Sequence, residues 1–201
     1  MKSLRVLCAT AVLGMSAGLM AQTATSAFSS AIDAEITNQE KQFVSAAEAM
    51  PADKFEASPD NFKIQGSEFK GVRTFAQQVK HVAADNFAIC APLTGKPEPA
   101  GLNAPNGPEE MKSRDEILKF LKDSFAYSHQ AVRGITAENA TGLVDFRGNK
   151  VTRISLVVLA LTHISDHYGQ AVEYLRMNGV VPPASNMKGM QMQMPSAPKS
   201  K

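Results

Sequence analysis

Apolar and polar residues alternate with helical spacing in four stretches of the chain. In the first, from Ser30 to Met50, Ile32, Ile36, Phe43, Val44 and Ala47 gather on one side, and Pro51 closes the run. The connection from Ala52 to Ser67 contains Pro59-Asp60-Asn61 and reads as a turn. A second helix is expected from Glu68 to about Ala91, with Val72, Phe75, Val79 and Val82 as its stripe, ended by Pro92 and the Thr94-Gly95-Lys96-Pro97 run. A Pro- and Gly-rich loop continues to Pro108. Ser113 with Glu116 three residues later is a capping-box signature, and Ile117 to Ile135 follows with helical spacing. The piece from Thr136 to Arg153 supports two readings, a short extended segment over Gly142–Phe146 with a turn at Gly148-Asn149, or plain loop. Thr152 to Asn178 is the clearest helix, and Gly179 and Pro182-Pro183 stop it. Four amphipathic helices and no competing strand pattern predict an all-α four-helix bundle over residues 30–183. Both simple up-and-down order and a crossover fit the connection lengths.

The two ends follow different rules. Lys2 and Arg5 precede a short apolar run from Val6 to Met20, and Ala21 stands before Gln22-Thr23, the order of a secretory signal peptide over residues 1–21. Cleavage after Ala27 is the alternative cut. The apolar run is about 15 residues, short of the ~20 that span a bilayer, so no stable membrane anchor is expected after cleavage. The competing reading is an uncleaved anchor. Export, to a periplasm or to the medium, is the expected localisation. Residues 184–201 form a low-complexity tail with Met187, Met190, Met192 and Met194. Disorder explains it, and a thioether cluster for Cu(I) is the sharper alternative.

Export changes the reading of charge and cysteine. Two of the 21 Lys+Arg leave with the leader, so 19 face 19 Asp+Glu and the mature domain is near neutral. Nucleic acid is therefore not an expected partner. Cys8 leaves as well, and Cys90, among Phe87, Ala88, Ile89 and Ala91, reads as a buried, inert thiol. With 44% hydrophobic and 20% charged residues the chain is globular, and its stability must come from its core.

The remaining chemistry lies in the histidines, His81, His129, His163 and His167. His163 and His167 are four apart on the last helix, stacked about 40° apart at 100° per residue, which suits two imidazoles on one metal. The apolar stripe of Val157, Ala160, Leu161, Ile164, Tyr168, Ala171 and Leu175 includes His167 at its edge, with His163 just beyond. A third ligand would come from His81. It shares its side with Thr74, Gln78, Asp85 and Ala88, away from the apolar stripe of its helix. That side lines a polar cleft or faces solvent, and periodicity leaves both open. Asp85 and Asp166 are candidate acceptors that orient the imidazoles, with ordinary solvent-facing charge as the alternative. His129 borders the face of Leu118, Leu121, Phe125 and Val132, as a pocket acid/base or as a satisfied core-edge histidine.

Several motifs are absent. His163-Ile-Ser-Asp-His167 has the frame of a zincin, but Ile164 stands where the glutamate base belongs. No Glu-x-x-His supports a di-iron site, no C-x-x-C-H supports covalent haem, and no glycine-rich phosphate loop occurs. What the chain does carry, Val79-Lys-His81-Val-Ala-Ala-Asp-Asn86 and Leu161-Thr-His163-Ile-Ser-Asp-His167-Tyr-Gly-Gln170, resembles the DinB-like (DinB/YfiT) superfamily of four-helix metalloproteins. The resemblance spans about Ser30 to Pro183. It implies one divalent metal, zinc or nickel, on His81, His163 and His167, with water in the open position. It further implies thiol transfer or thiol-dependent isomerisation, and homodimers are common among such bundles; a metal acting as Lewis acid on water makes hydrolysis the other expected chemistry. The departures are the export signal, since characterised relatives act in the cytosol with a small thiol, and the lack of a recognisable thiol or substrate pocket. A non-catalytic metal- or small-ligand-binding protein of the cell envelope is the alternative function.

Overall fold

The computed structural model describes residues 26–102 and 105–186. The leader over residues 1–21, the Ala21 cut and the four tail methionines lie outside the described residues. Helix α1 spans Ala27–Ala49, α2 Phe75–Thr94, α3 Arg114–Val132 and α4 Arg153–Met177. Each begins at a hydroxyl that satisfies a free N–H of the first turn: Ser26, Thr74, Ser113 and Thr152 accept from Ser29, Gln77, Glu116 and Ser155. The capping box at Ser113 and Glu116 forms as expected.

The second helix differs from expectation at both ends. It starts at Phe75, not Glu68, because Thr74 and Gln77 form a complete capping box. Residues before it make turns instead, with Gly66 and Gly71 in the left-handed region. It also runs through Pro92 to Thr94 and ends at Gly95 with φ 69°. A proline in the last turn removes one internal bond, and buried Leu93 beyond it supports the extra turn. The third helix ends at Val132, three residues early. Ile135 is still buried, held past the helix by an N–H to the Val132 carbonyl, while its own carbonyl accepts from the Ser26 hydroxyl.

Helix α2 packs against α3 and α4, and α1 against the same two helices, so α1 and α2 stand on one diagonal of the bundle and α3 and α4 on the other. The connections after α1 and α3 cross the bundle; only the loop from α2 to α3 joins adjacent helices. The core is filled by Phe43, Phe75, Phe125, Ile36, Ile117, Leu121, Leu156, Ile164 and Leu175, all fully buried. Cys90 is buried here too, and burial pushes its thiol up to about 11, so it stays protonated and unreactive.

The bundle is not purely helical. Strands β1, Leu143–Phe146, and β2, Asn149–Thr152, pair antiparallel with Phe146 opposite Asn149. The two turn residues, Arg147 and Gly148, both have positive φ, at 48° and 80°. That is the two-residue turn whose twist matches a hairpin. The hairpin lies against α2 through β1 and leads directly into α4.

Candidate metal centre

Helices α2 and α4 face each other with polar residues at helical spacing, Gln78, His81 and Asp85 on one and His163, His167 and Gln170 on the other. Of the two readings for the His81 side, the polar cleft is the one observed. The apolar residues Phe75, Val79 and Val82 supply α2's other buried face. Burial on two sides explains why the polar row points at a neighbouring helix and not at water.

The three imidazoles converge. Ring centroids are 5.0 Å apart for His81–His163, 4.7 Å for His81–His167 and 4.5 Å for His163–His167. One nitrogen from each lies within 4.8 Å of the others, the requirement for a shared ion. The Nε2 atoms of His81 and His163 are 3.1 Å apart. Ligand nitrogens around a tetrahedral metal with bonds of 2.0–2.1 Å stand roughly 3.3 Å apart, so the spacing fits one.

The tautomer of His167 follows from a chain of amides. Its Nδ1 stands 2.8 Å from Gln78 Oε1, Gln78 Nε2 donates to Gln170 Oε1 at 2.7 Å, and Gln170 Nε2 donates to Asp166 Oδ2 at 2.9 Å. An ionised carboxylate only accepts, so every donor in the chain points away from His167 toward Asp166. His167 therefore carries its proton on Nδ1 and offers the Nε2 lone pair to the cluster. Burial first, then the charges of His163 and His81, holds its pKa down to about 4. Burial, with the nearby Arg73 charge, also lowers that of His81. Both rings are neutral at pH 7, the form that ligates. The donor set fits a divalent cation.

Asp85 completes the group. Its Oδ2 is 3.2 Å from His163 Nε2 and 3.8 Å from His81 Nε2, and its Oδ1 accepts from Arg147 Nη2 at 3.2 Å. Burial alone would raise its pKa, but the bond to His163 and the positive neighbours hold it low, so Asp85 is a carboxylate. Asp166 has a different place. It is exposed, touches no imidazole, and reaches His167 by hydrogen bonds through two glutamines and by its charge, which opposes the lowering of the His167 pKa. His129 lies away from the cluster, between α1 and α3, with Nδ1 2.7 Å from Asp33 and Nε2 3.1 Å from Glu40. The sequence reading assigned no role to Gln78, one helical turn before His81, although that spacing was visible. Arg147 had no local signal, being 62 residues from its partner.

The profile of the DinB superfamily matches residues 35–171. Among solved structures, a DinB-like protein from Bacillus cereus is similar at TM-score 0.60 and 13% identity, over 77% of this chain and 95% of that one. A DinB-like protein from Bacillus subtilis is similar at TM-score 0.54 and 18% identity, over 74% and 92%. Identities this low carry the fold alone. No curated protein matches the chain.

Proposed function

The chain belongs to the DinB superfamily, and on that premise we propose that it is an exported protein holding one divalent metal, zinc or nickel, on His81, His163 and His167, and acting as a metal-dependent hydrolase or thiol transferase. The convergence of three imidazole nitrogens on one point carries this reading. A metal held by three protein ligands supplies an acidified water or thiol in its open position. His167 keeps its lone pair on that point because Gln78 holds its Nδ1 proton. Asp85 Oδ2, beside two of the three ring nitrogens, accepts the proton of an incoming water or thiol, and Arg147, bound to the other oxygen, keeps that carboxylate aimed.

One observation favours a second reading. Asp85 Oδ2 is close enough to His163 to become a fourth ligand itself, which would close the coordination sphere and make the protein a metal binder without chemistry. Asp85→Asn separates the two. As a proton acceptor, its loss leaves about one metal per chain and suppresses hydrolysis or thiol transfer in a substrate screen. As a fourth ligand, its loss weakens metal affinity by about tenfold or more. Elemental analysis of the wild type beside His81→Ala tests the centre itself: metal in the first and none in the second is expected. A wild type that stays empty after reconstitution would sink it.

Export is part of the proposal and has its own test. Ser26 caps α1 and donates to the Ile135 carbonyl, so a cut after Ala21 preserves the cap and a cut after Ala27 removes it. The intact mass of the protein from the periplasm or medium should correspond to a chain beginning at Gln22.

A further inference from the structure

A cleft of about 280 Å³ opens between α2 and the hairpin, linked to the histidine cluster through Arg147 and Asp85. Ala88, Pro92 and Phe146 line it together with the charged Lys96, Glu98, Asp145 and Arg147. Ala88 is three residues beyond Asp85, about one turn along the same helix. Arg147 belongs to both. It lines the cleft and it binds Asp85, whose other oxygen faces His163.

Three features make this arginine more than a pin for the hairpin. A guanidinium has five N–H donors, and one of them is engaged by Asp85; among the described residues the others make no hydrogen bond. The group stands 5.0 Å from the centroid of its neighbour Phe146, a cation–π contact at the cleft wall. Its backbone is in the left-handed region at φ 48°, where Asn, Asp or Gly is the less costly choice in such a turn. An unfavourable residue in this turn whose guanidinium reaches Asp85, beside the histidine cluster, points to use of its side chain. Of the other charged groups lining the cleft, Asp145 is paired with Lys150 at 2.8 Å and Lys96 is offset by Glu98, so binding an anion falls to Arg147.

We propose that this cleft is the organic-ligand subsite of the centre, and that the Arg147 guanidinium receives the carboxylate or other planar anionic group of a small molecule whose opposite end reaches the metal. The inference rests on the metal reading above and names its substrate class: a short, anionic, partly apolar compound. Asp85 and the anion share one guanidinium, so ligand binding and the aim of the Asp85 carboxylate are coupled.

The test uses two hydroxamates on the full mature chain loaded with cobalt(II), each titrated through the visible cobalt spectrum. Succinate monohydroxamate carries a second carboxylate for Arg147; acetohydroxamate does not. The expected result is about tenfold tighter binding of the first, falling to within about twofold in Arg147→Met, with cobalt content unchanged. The control Lys41→Met removes an equal charge from an exposed position of α1, which does not line the cleft, and should keep the preference. Cobalt uptake with no preference in the wild type, a preference that survives Arg147→Met, or an equal loss in Lys41→Met would overturn the subsite and leave the metal reading standing. Failure to take up cobalt would overturn both.

Discussion

The molecule holds histidine in two opposite ways, at opposite interfaces of one bundle. Between α2 and α4, three imidazoles face one another, with an amide accepting the only proton of His167. Between α1 and α3, the single ring of His129 has a carboxylate on each nitrogen. Carboxylates accept, so both ring nitrogens of His129 must donate, and that is possible only in the imidazolium. Burial would lower its pKa, but the bonds to Asp33 and Glu40 outweigh that and raise it. At His167 no carboxylate bonds the ring, the Asp166 charge is outweighed by burial and by His163 and His81, and the pKa falls to about 4. A helical interface thus makes a ligand of one histidine and a bridging cation of another, by what stands on the second nitrogen.

The largest effect should come from removing a cluster ring. His167→Ala leaves two imidazoles, and zinc affinity should fall by at least about a hundredfold, measured by competition with a chromophoric chelator. With the metal goes the stability it lends. In the wild type at a thousandfold excess of metal over its dissociation constant, binding adds about 4 kcal/mol, of which a hundredfold weaker variant should retain only about 1.4 kcal/mol in thermal unfolding. An unchanged affinity would mean that another group completes the site.

Gln78→Leu probes the second nitrogen directly. It keeps all three rings but removes the acceptor for the His167 proton, and zinc affinity should drop about tenfold to a hundredfold. If affinity does not move, the amide chain to Asp166 is packing only. His129→Ala draws the contrast from the other side. It should cost about 1–2 kcal/mol in denaturant unfolding at pH 6 through the lost bridge from α1 to α3, with metal content unchanged. Loss of metal in this variant would break the separation between the two regions.

The smallest effect is in pH dependence, and its sign differs between the regions. His129 is protonated more readily folded than unfolded, so its contribution is fully present below about pH 6.5 and is lost as pH rises through its higher folded value. His167 in the metal-free protein is the reverse. Its folded value near 4 lies below the unfolded one, so the unfolded chain takes up more protons and stability is lost as pH falls from about 6.5 toward 4. Urea unfolding of the metal-free wild type across pH 4–8, beside the His129→Ala variant, should show the alkaline loss only in the wild type and the acid loss in both.

Much of this was legible in advance where the information is local. The four helices, the Ser113 cap and the His163/His167 pair rest on spacings of three and four residues, which a helix converts directly into neighbours. The start of α2 was misplaced for a local reason as well. Apolar Val72 extended the pattern, while the Thr74–Gln77 box, which sets the boundary, went unread. The resemblance to the DinB-like pattern carried His81 into the candidate site, a step periodicity did not supply.

From the sequence alone came the helices, the buried Cys90, and the set of side chains able to ligate a metal, because propensity, capping and hydrophobic period act within a few residues. Only the tertiary structure decided which histidines meet, that α1 and α3 each hand on to a diagonal partner, that Gln78 fixes the proton of His167, and that Arg147 reaches Asp85 from a hairpin. Those side-chain pairings join residues 62 to 89 positions apart. The chain's local code leaves them unspecified, because closing such a loop costs nearly the same entropy for many alternative partners, and packing of the whole core selects among them.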